Sequence, residues 1–333
     1  MGRVWDSENY FELPYNGVAT LLSVEKVVKS YTINEGGLFS PKWRIVPALR
    51  EVSFTIRNGE TLAVLGRNGS GKSTLCKIVA GITKPDSGAV FLDGEDITRN
   101  VTRVSKQIGI VLGPTLIYFR MRGHDYLEFF AKIYGIPNYE DRIEELSEDV
   151  GLGGWIGDYV ESYSTGMKMK LSLARALLHD PPLLILDEFT MGLDPTSAKQ
   201  VRELVQGKGK SILLTTHNTL EAETMADRIA FISEGKLVAI NETEMFLRDS
   251  EFESKLSFFL TSDEGTRYIQ RNFDAKVADD GRIQLLVRSS DVSKLIRDLD
   301  RFGVRNLEVR GPNLEDLYSK YTGKTLQAQL VSA

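Results

Sequence analysis

The chain has 333 residues, a formal net charge of −5, 42% hydrophobic residues and a single cysteine. This length predicts about two domains, the acidic balance argues against a nucleic-acid partner, and one cysteine excludes a disulfide within the chain. The N-terminal stretch MGRVWDSENYFELPYNG lacks the apolar segment of a signal peptide, and no stretch approaches the ~20 apolar residues that span a bilayer. We therefore expect a soluble chain.

The N-terminal third is rich in strand signals. LLSVEKVV, LREVSFTI and TLAVLG are short segments with β-branched or alternating apolar residues. Between the first two, the paired glycines and two prolines of YTINEGGLFSPKWRIVPA indicate a long loop or a hairpin. The apolar residues that follow Gly71 recur with a helical period and predict a helix. They are Leu75, Ile78, Val79 and Ile82.

The middle of the chain alternates between strand and helix signals. The strands GAVFLDG and IGIVLG come first, and residues 122–160 are typical of helices. The order continues with a helix at 164–178, the strand LLILD, a helix near 196–206, the strand SILLTT, a helix near 218–226 and the strand RIAFISEGKLVA. This alternation predicts an α/β fold with a mostly parallel sheet and helices on both of its faces.

The C-terminal part has a different pattern. A charged helical stretch near 243–254 is followed by the strand-like segments LSFFL, KVADDGRIQLLV and RNLEV, with helical segments between them. The sequence therefore predicts a small separate α+β unit, and we expect its apolar strands to form a core or a dimer contact.

The stretch GRNGSGKST matches the pattern G-x-x-x-x-G-K-[ST] between a predicted strand and a predicted helix. Its glycines allow the backbone to fold around phosphate oxygens, so that N–H groups and the helix dipole face the anion. Lys72 can reach the β and γ phosphates, and the Ser73 hydroxyl can bind Mg²⁺. The sequence therefore predicts a nucleoside triphosphate site. Its candidate residues are Gly66, Asn68, Gly69, Ser70, Gly71, Lys72, Ser73 and Thr74.

Two acidic residues follow the apolar strand LLIL. Carboxylates at the carboxyl end of a buried parallel strand face the crevice where open α/β sheets bind ligands. Asp187 is suited to hold Mg²⁺, and Glu188 to orient or deprotonate an attacking water. The alternative is that these acids only mark where a strand emerges into solvent, which the neighbouring phosphate loop disfavours.

A second helix start also has features of a phosphate site. Ser164 stands where a helix N-cap is expected, and Gly166 lets backbone N–H groups approach an anion closely. Ser164 could instead be a helix cap alone. Two such helix starts, nearly one hundred residues apart, raise the question of why one chain would need both.

With these motifs in this order, the chain resembles the ATP-binding subunits of ABC transporters over residues 22–245. GRNGSGKST is similar to the phosphate loop of the family, YSTGM to its signature motif and LLILDE to its acidic strand. GLDP is similar to the D-loop, and TTH ends in His217 at the position of the switch histidine. Tyr31 stands where the family places an aromatic residue against adenine.

The resemblance implies the P-loop NTPase fold of an ABC cassette, with a mostly parallel sheet core and antiparallel β and helical subdomains. It implies ATP and Mg²⁺ as cofactors, with Glu188, His217 and Lys72 as catalytic residues. In this family two subunits pack head to tail across ATP. The resemblance therefore implies a homodimer, in which Ser164 and Gly166 contact the nucleotide of the other subunit and Asp194 links the two sites.

The resemblance also implies a transmembrane permease, in two copies, that holds the chain at the cytoplasmic face of the inner or plasma membrane. The signature and the C-terminal LEDLY segment are similar to those of drug or polysaccharide exporters. We expect the permease to dock on the loop and helices at 113–135, with Tyr118, Arg120 and Arg122 as candidates. The predicted function is ATP hydrolysis that powers export.

We expect an N-terminal extension at 1–20, an ATPase domain at 21–248 with a helical subdomain at about 114–178, a C-terminal α+β domain at 252–323 and a tail at 324–333. An insertion at 32–47 brings aromatic residues, Phe39 and Trp43, that could cover the nucleotide or contact the permease, or belong to a tolerated surface loop.

Two positions depart from the family pattern. Gly113 stands where a glutamine usually contributes to Mg²⁺ binding and permease contact, Gln107 is six residues too early to replace it, and Thr115 is a possible substitute. Phe189 replaces a proline after the acidic pair. Gly113 keeps open a weakly hydrolysing regulatory cassette as an alternative.

Two further alternatives concern the work that ATP hydrolysis does. The cargo could be a polysaccharide or glycolipid rather than a drug or lipid. A mechanical ATPase of chromosome maintenance or translation would need a long coiled coil or a second cassette, and the sequence has neither.

Overall fold

In the computed structural model, the described residues are 19–36, 40–99, 101–112, 120–248, 253–278, 280–311 and 313–326. The chain divides into two compact units, Met1–Ile240 with Gln327–Ala333, and Asn241–Leu326. Across the described ranges, no helix combines the length and the apolar character that a membrane span requires.

The first unit alternates strands and helices. In chain order they are β1 (Thr20–Asn34), β2 (Trp43–Arg57), β3 (Thr61–Leu65), α1 (Lys72–Val79), β4 (Ser87–Leu92), β5 (Glu95–Asp96), α2 (Val101–Val104), β6 (Ile108–Leu112), α3 (Gly123–Tyr134), α4 (Tyr139–Asp149), α5 (Thr165–Leu177), β7 (Leu183–Asp187), α6 (Pro195–Gly207), β8 (Ser211–Thr216), α7 (Thr219–Met225), β9 (Arg228–Ser233) and β10 (Lys236–Glu242).

These strands form two sheets. A four-stranded sheet has the order β2-β1-β4-β5 with antiparallel pairs. A six-stranded sheet has the order β10-β9-β3-β8-β7-β6, in which β9, β3, β8, β7 and β6 pair in parallel. Strand β8 is buried along its whole length, as expected for a parallel strand covered on both faces. The predicted α/β fold, with a mostly parallel core and an added antiparallel sheet, is confirmed.

Parallel pairing brings the ends of three strands together. Leu65 of β3 lies opposite Thr216 of β8, and Asp187 of β7 lies opposite Thr215. The segments that follow β3, β7 and β8 therefore leave the sheet on one side, at the carboxyl ends of the strands. The phosphate loop, the acidic pair and His217 lie at these ends.

Strands β1 and β2 form a long antiparallel hairpin. Their pairing continues from Tyr31 opposite Val46 to Asn34 opposite Trp43, so the strands run into the 32–47 insertion. Of the two structures that the sequence allowed here, a loop or a hairpin, the hairpin is present. Phe39 lies outside the described residues.

The hairpin meets the six-stranded sheet at the carbonyl oxygen of Ala48. A Cβ atom at Gly71 would lie 2.5 Å from this oxygen, and a Cβ atom at Gly235 would lie 2.6 Å from it. The Arg50 N–H donates to the Gly235 carbonyl at 2.7 Å, and the Gly235 N–H donates to the Ser70 carbonyl at 2.9 Å. The two sheets are therefore in backbone contact beside the phosphate loop.

Two details of the predicted elements were wrong. Helix α1 ends at Val79, and Ile82, expected on its apolar face, is 57% exposed. The reason is Gly81, whose φ of 71° breaks the helical conformation. The segment RIAFISEGKLVA forms two strands, β9 and β10, because Gly235 has a φ of 78° and turns the chain between them.

Helices α3, α4 and α5 make up the helical segment between β6 and β7. Arg175 of α5 joins them to the sheet: its guanidinium donates to the Ile110 carbonyl at 2.6 Å and to the Tyr126 hydroxyl at 3.3 Å, and it lies 5.3 Å from the Phe130 ring centre. Arg175 therefore anchors helix α5 on strand β6.

The second unit contains α8 (Thr243–Arg248), β11 (Glu253–Leu260), α9 (Asp263–Asn272), β12 (Ala275–Val277), β13 (Ile283–Arg288), α10 (Val292–Asp300), β14 (Val304–Arg310) and α11 (Leu314–Thr322). Its sheet has the order β12-β13-β11-β14. From β11 to β14 this is a β-α-β-β-α-β unit of the ferredoxin-like type. Its core residues are Leu256, Phe258, Ile269, Ile283, Leu285, Val287, Leu295 and Leu299.

Candidate functional site

The phosphate loop joins β3 to α1 and has no room for side chains at two glycines. A Cβ atom at Gly66 would lie 2.5 Å from the Ile232 carbonyl oxygen, and one at Gly71 would meet Ala48 as described above. Gly71 is the N-cap of α1, with a φ of 110° and no side-chain cap. The first N–H groups of α1 are therefore without a capping side chain, as suits an anion site.

Lys72 is folded back into this loop. Its ammonium donates to the carbonyl oxygens of Gly66 at 2.7 Å and Arg67 at 3.1 Å, and the side chain is 4% exposed. It also lies 3.3 Å from Oε1 of Glu188. A buried cation held in this way is poised to bind a phosphate oxygen.

Two serine hydroxyls of the loop suit ligand binding. Among the described residues, the Ser70 hydroxyl is buried without a hydrogen-bond partner, and Ser73 is exposed in the first turn of α1. An orphaned buried hydroxyl calls for a ligand or water. The exposed Ser73 oxygen, together with the oxygens of Asp187, fits the hard oxygen ligands that Mg²⁺ prefers.

Asp187 is held in place by its neighbour on β8. The Thr215 hydroxyl donates to its Oδ1, which leaves the other carboxylate oxygen for a ligand. Behind it, the Cys76 thiol lies 3.7 Å from the Thr215 hydroxyl, and burial together with the nearby Asp187 charge raises its pKa. Cys76 is therefore a packing residue at neutral pH.

The carboxylate of Glu188 lies between the ammonium group of Lys72 and the imidazole of His217. Its Oε1 is 3.3 Å from the Lys72 ammonium and 3.2 Å from Nδ1 of His217. The backbone of Glu188 has a φ of 47°, and its N–H donates to the Thr215 carbonyl at 2.9 Å. The structure thus brings together three predicted residues from three different segments at one edge of the sheet.

Ser164 is the N-cap of α5, as predicted. Its Oγ accepts the Met167 N–H at 3.2 Å, so within the described part of the chain its hydrogen bonds stay in its own helix. A Cβ atom at Gly166 would meet nothing closer than the Ser197 Oγ at 3.5 Å, an ordinary contact. The first turn of α5 therefore has space for a methyl group at Gly166.

Asp194 is the N-cap of α6. Its Oδ1 accepts the N–H groups of Thr196 and Ser197, both at 3.0 Å. The hydrogen bond from the Ser197 side chain and these backbone N–H groups lower the pKa of Asp194. Asp194 therefore remains ionised at neutral pH.

Tyr31 lies on β1 opposite Val46 of β2. Val46 stands two residues before Ala48, whose carbonyl oxygen is packed against Gly71. This register places Tyr31 on the strand pair that borders the phosphate loop. Its side chain is 38% exposed, and the Lys29 ammonium lies 5.7 Å from the ring centre. Asn68, Gly69 and Thr74 belong to the loop and the first turn of α1.

Several candidates around the predicted permease contact lie outside the described residues, namely Gly113, Thr115 and Tyr118. Leu112, the residue before Gly113, lies opposite Asp187, whereas Gln107 precedes the other end of β6. Arg120 is exposed, and the Arg122 guanidinium lies 5.5 Å from the Tyr159 ring centre.

The sequence patterns did not point to three residues that support the site, namely Thr215, Thr190 and Glu221. Thr215 orients Asp187, and Thr190 donates to the buried Glu221 at 2.5 Å, which connects the segment after Glu188 to α7. Only the polar TT pair at the end of an apolar strand could have pointed to Thr215. Phe189, which departs from the family pattern, is fully buried and acts in packing.

Known proteins similar to this chain belong to one family. The sequence matches the family described as ABC transporter over residues 49–191. It is 35% identical over 230 residues to the ABC transporter ATP-binding protein NatA of Bacillus subtilis, a match that covers 67% of this chain and 93% of that protein. It is 29% identical over 284 residues to the fluoroquinolones export ATP-binding protein of Mycobacterium tuberculosis, covering 84% of this chain and 89% of that protein.

Among solved structures, the fold is similar to the dimeric structure of a post-hydrolysis state of an ATP-binding cassette bound to ADP and Pi. The TM-score is 0.60 at 23% sequence identity, and the match covers 67% of this chain and 99% of the other.

Proposed function

Because this chain belongs to the family of ABC transporter ATP-binding proteins and is an ATPase of that family, we propose that its ATP hydrolysis powers the export of a substrate through a separate transmembrane permease. The observation that carries the catalytic part is the position of the Glu188 carboxylate between Lys72 and His217, beside the phosphate loop.

In the proposed reaction, Lys72 and the N–H groups at the start of α1 bind the β and γ phosphates of ATP. Glu188 accepts a proton from water as the water oxygen bonds to the γ-phosphorus. The bond from that phosphorus to the bridging oxygen breaks, and ADP leaves with the electron pair. His217 holds the γ-phosphate, and Tyr31 stacks on adenine.

We infer that Ser73 and Asp187 hold Mg²⁺. The exposed hydroxyl of Ser73 and the free oxygen of Asp187 support this assignment. When bound, the ion neutralises charge on the phosphate oxygens.

The second helix start supports a shared site. We propose that two copies of this chain pack across ATP, with Ser164 and Gly166 of one copy on the γ-phosphate of the other and Asp194 between the sites. The space for a methyl group at Gly166 is compatible with this arrangement, and the similar solved cassette is described as dimeric. ATP binding would close such a dimer, and hydrolysis would reopen it.

We propose further that two permease subunits hold the dimer at the cytoplasmic face of the inner or plasma membrane. Export is supported by the name of the relative from Mycobacterium tuberculosis, which describes a fluoroquinolone exporter. A polysaccharide or glycolipid cargo is the alternative, and substrate contacts would lie in the permease.

The substitution Glu188→Gln tests the catalytic assignment. It removes the proton acceptor but keeps the size of the side chain, so phosphate release should fall by ~100-fold or more while ATP binding persists and the ATP-bound dimer accumulates. Glu203→Gln is a matched control, because Glu203 is an exposed carboxylate on α6. Phosphate release by purified protein with its permease, and size-exclusion chromatography with ATP, provide the readouts.

Equal turnover in the Glu188→Gln variant and the control would contradict the role of Glu188 as base. Loss of ATP binding in the Glu188→Gln variant would instead assign Glu188 to nucleotide binding.

A weakly hydrolysing regulatory cassette is the second candidate, favoured by Gly113 where the family usually has glutamine. Under this alternative, Gly113→Gln should raise phosphate release at saturating MgATP. Fast turnover of the natural sequence, unchanged by this substitution, would exclude it.

A further inference from the structure

The sheet of the second unit has two unlike faces. Helices α9 and α10 contribute Ile269, Leu295 and Leu299 to the apolar core on one face. Side chains alternate between the faces of a strand, so the residues between the core positions of β11 and β13 point to the other face. Lys255, Ser257 and Gln284 are among them.

A concave site of about 130 Å³ lies on this second face. Its lining contains three cations, two neutral polar residues and one carboxylate. They are Lys255, Arg282, Arg310, Ser257, Gln284 and Glu308. The lining is therefore positively charged, in a chain whose formal net charge is −5.

The register of the strands brings like charges together. Lys255 of β11 lies directly opposite Arg310 of β14. Like charges at directly opposite positions destabilise a sheet, and an anion between them would reverse this effect. The carboxylate of Glu308 only partly compensates, since it lies 3.9 Å from the Arg310 guanidinium.

The centre of the site offers hydrogen bonds. Ser257 lies opposite Gln284 on one side and opposite Glu308 on the other, so three polar side chains form a row across three strands. Ser257 is buried. Among the described residues, the side chains of Lys255 and Gln284 have no hydrogen-bond or ion-pair partner. They are free to donate to an oxyanion.

Arg282 is preorganised at one end of the site. Its guanidinium lies 5.3 Å from the ring centre of Phe259, and its Nε lies 4.0 Å from a carboxylate oxygen of Asp280. Stacking on an aromatic ring fixes the plane of a guanidinium while leaving its N–H donors at the edge for a planar or tetrahedral oxyanion.

We propose that this face binds a phosphate monoester. Three cations match a phosphate dianion better than a single carboxylate, Ser257 and Gln284 supply neutral donors, and Glu308 accepts a hydrogen bond from a hydroxyl of the organic part. A second copy of the same face is a poor occupant, because a two-fold contact would place positive charges opposite each other. The monoester is either a soluble metabolite or the headgroup of phosphatidic acid.

Calorimetric titration of the full chain with glycerol 3-phosphate tests the site. The titrations use the Lys72→Ala background, which weakens phosphate binding by the loop. Arg282→Gln and Arg310→Gln should each weaken binding by about tenfold or more, since each removes a charge-assisted hydrogen bond. Arg271→Gln is the matched control, because it removes the same charge from α9, on the other side of the sheet.

Co-sedimentation with vesicles distinguishes the sources of the phosphate group. Vesicles of phosphatidylcholine with phosphatidic acid are compared with vesicles of phosphatidylcholine alone. Binding of glycerol 3-phosphate supports a soluble ligand, and binding of phosphatidic acid vesicles alone supports a lipid headgroup.

Three results would overturn the proposal: binding of neither probe, binding that survives both arginine substitutions, or an equal loss in the Arg271→Gln control. None of these outcomes bears on ATP hydrolysis, which depends on the first unit.

Discussion

Helices α1 and α5 both begin at a motif that the sequence marks for phosphate, but their first turns are built differently. Helix α1 has Gly71 as N-cap and no capping side chain, whereas α5 has Ser164, whose hydroxyl accepts the Met167 N–H at 3.2 Å. A helix start leaves several N–H groups in need of partners. The start of α1 lacks such a side-chain partner, and the start of α5 supplies one of its own.

The surroundings of Gly71, at the start of α1, and of Gly166, at the start of α5, also differ. Gly71 is in close contact with the backbone at Ala48, and Gly166 has space for a methyl group. The start of α1 is therefore fixed by close contacts with its own chain, whereas the start of α5 leaves space for a methyl group at Gly166. This difference is the physical basis of the shared site that we propose.

The largest effect is expected from Gly71→Ala. The added Cβ would lie 2.5 Å from the Ala48 oxygen at a φ of 110°, so the free energy of unfolding should fall by ~3 kcal/mol and ATP binding should be lost. Urea denaturation and nucleotide titration measure the two effects. Gly209→Ala is the control, because its φ is also positive but nothing lies within 4 Å of the added Cβ.

Gly166→Ala should act on hydrolysis rather than on folding. An alanine fits the space and raises helix propensity, so stability should be unchanged or higher by up to ~1 kcal/mol. If α5 approaches the γ-phosphate of the other copy, the methyl group stands in the way. Phosphate release should then fall by about tenfold, a change of ~1.4 kcal/mol in the barrier. Unchanged turnover would argue against the shared site.

Ser164→Ala should produce a smaller, double effect. Loss of the hydrogen bond from the Met167 N–H to the Ser164 hydroxyl should lower the free energy of unfolding by ~1 kcal/mol. If this hydroxyl contacts the phosphate of the other copy, as we propose, hydrolysis should fall as well. Ser164→Thr keeps the hydroxyl and should restore both. A variant that loses stability but hydrolyses ATP normally would reduce Ser164 to a helix cap.

The smallest effect concerns the other end of α5, at His179. Burial lowers the pKa of this imidazole, whose Nε2 donates to the Ile108 carbonyl at 3.2 Å and whose ring stacks on Tyr134 at 4.1 Å. With a folded pKa below the unfolded value of about 6.5, the contribution of His179 is complete above pH 6.5 and falls as the pH drops.

Melting temperatures between pH 7.5 and 5 measure this dependence. His179→Gln should flatten the decline, whereas His124→Gln, at a half-buried position of α3 where the imidazole contacts Glu140, should leave it in place. Equal declines in all three proteins would contradict the assignment to His179.

The sequence predicted the parts of the fold that rest on pattern and periodicity. The strand before the phosphate loop and the apolar strand before Asp187 had to end at one edge of a parallel sheet, so the meeting of Lys72, Glu188 and His217 follows from the order of elements. The end of α1 at Val79 could not be predicted from the apolar period, since Ile82 continues that period at an exposed position after Gly81.

Contacts between distant segments could not be predicted from the sequence. The Thr215 hydroxyl on Asp187 and the Lys255–Arg310 pair depend on the register between strands, which periodicity does not fix across long separations. The basic face of the second unit could not be predicted for the same reason, because its cations come from β11, from β14 and from the residue before β13.

The carbonyl oxygen of Ala48 has a consequence for chimeric proteins. It faces both Gly71 and Gly235 at distances that admit no side chain, and Arg50 and Ser70 hydrogen-bond the backbone of Gly235. Exchange of the hairpin tip between relatives should be harmless if the crossover points lie between Tyr31 and Thr32 and between Ile45 and Val46, because Tyr31 and its partner Val46 are then kept. A crossover that shifts Ala48 by one residue would displace the nucleotide loop, even though no residue of that loop had been replaced.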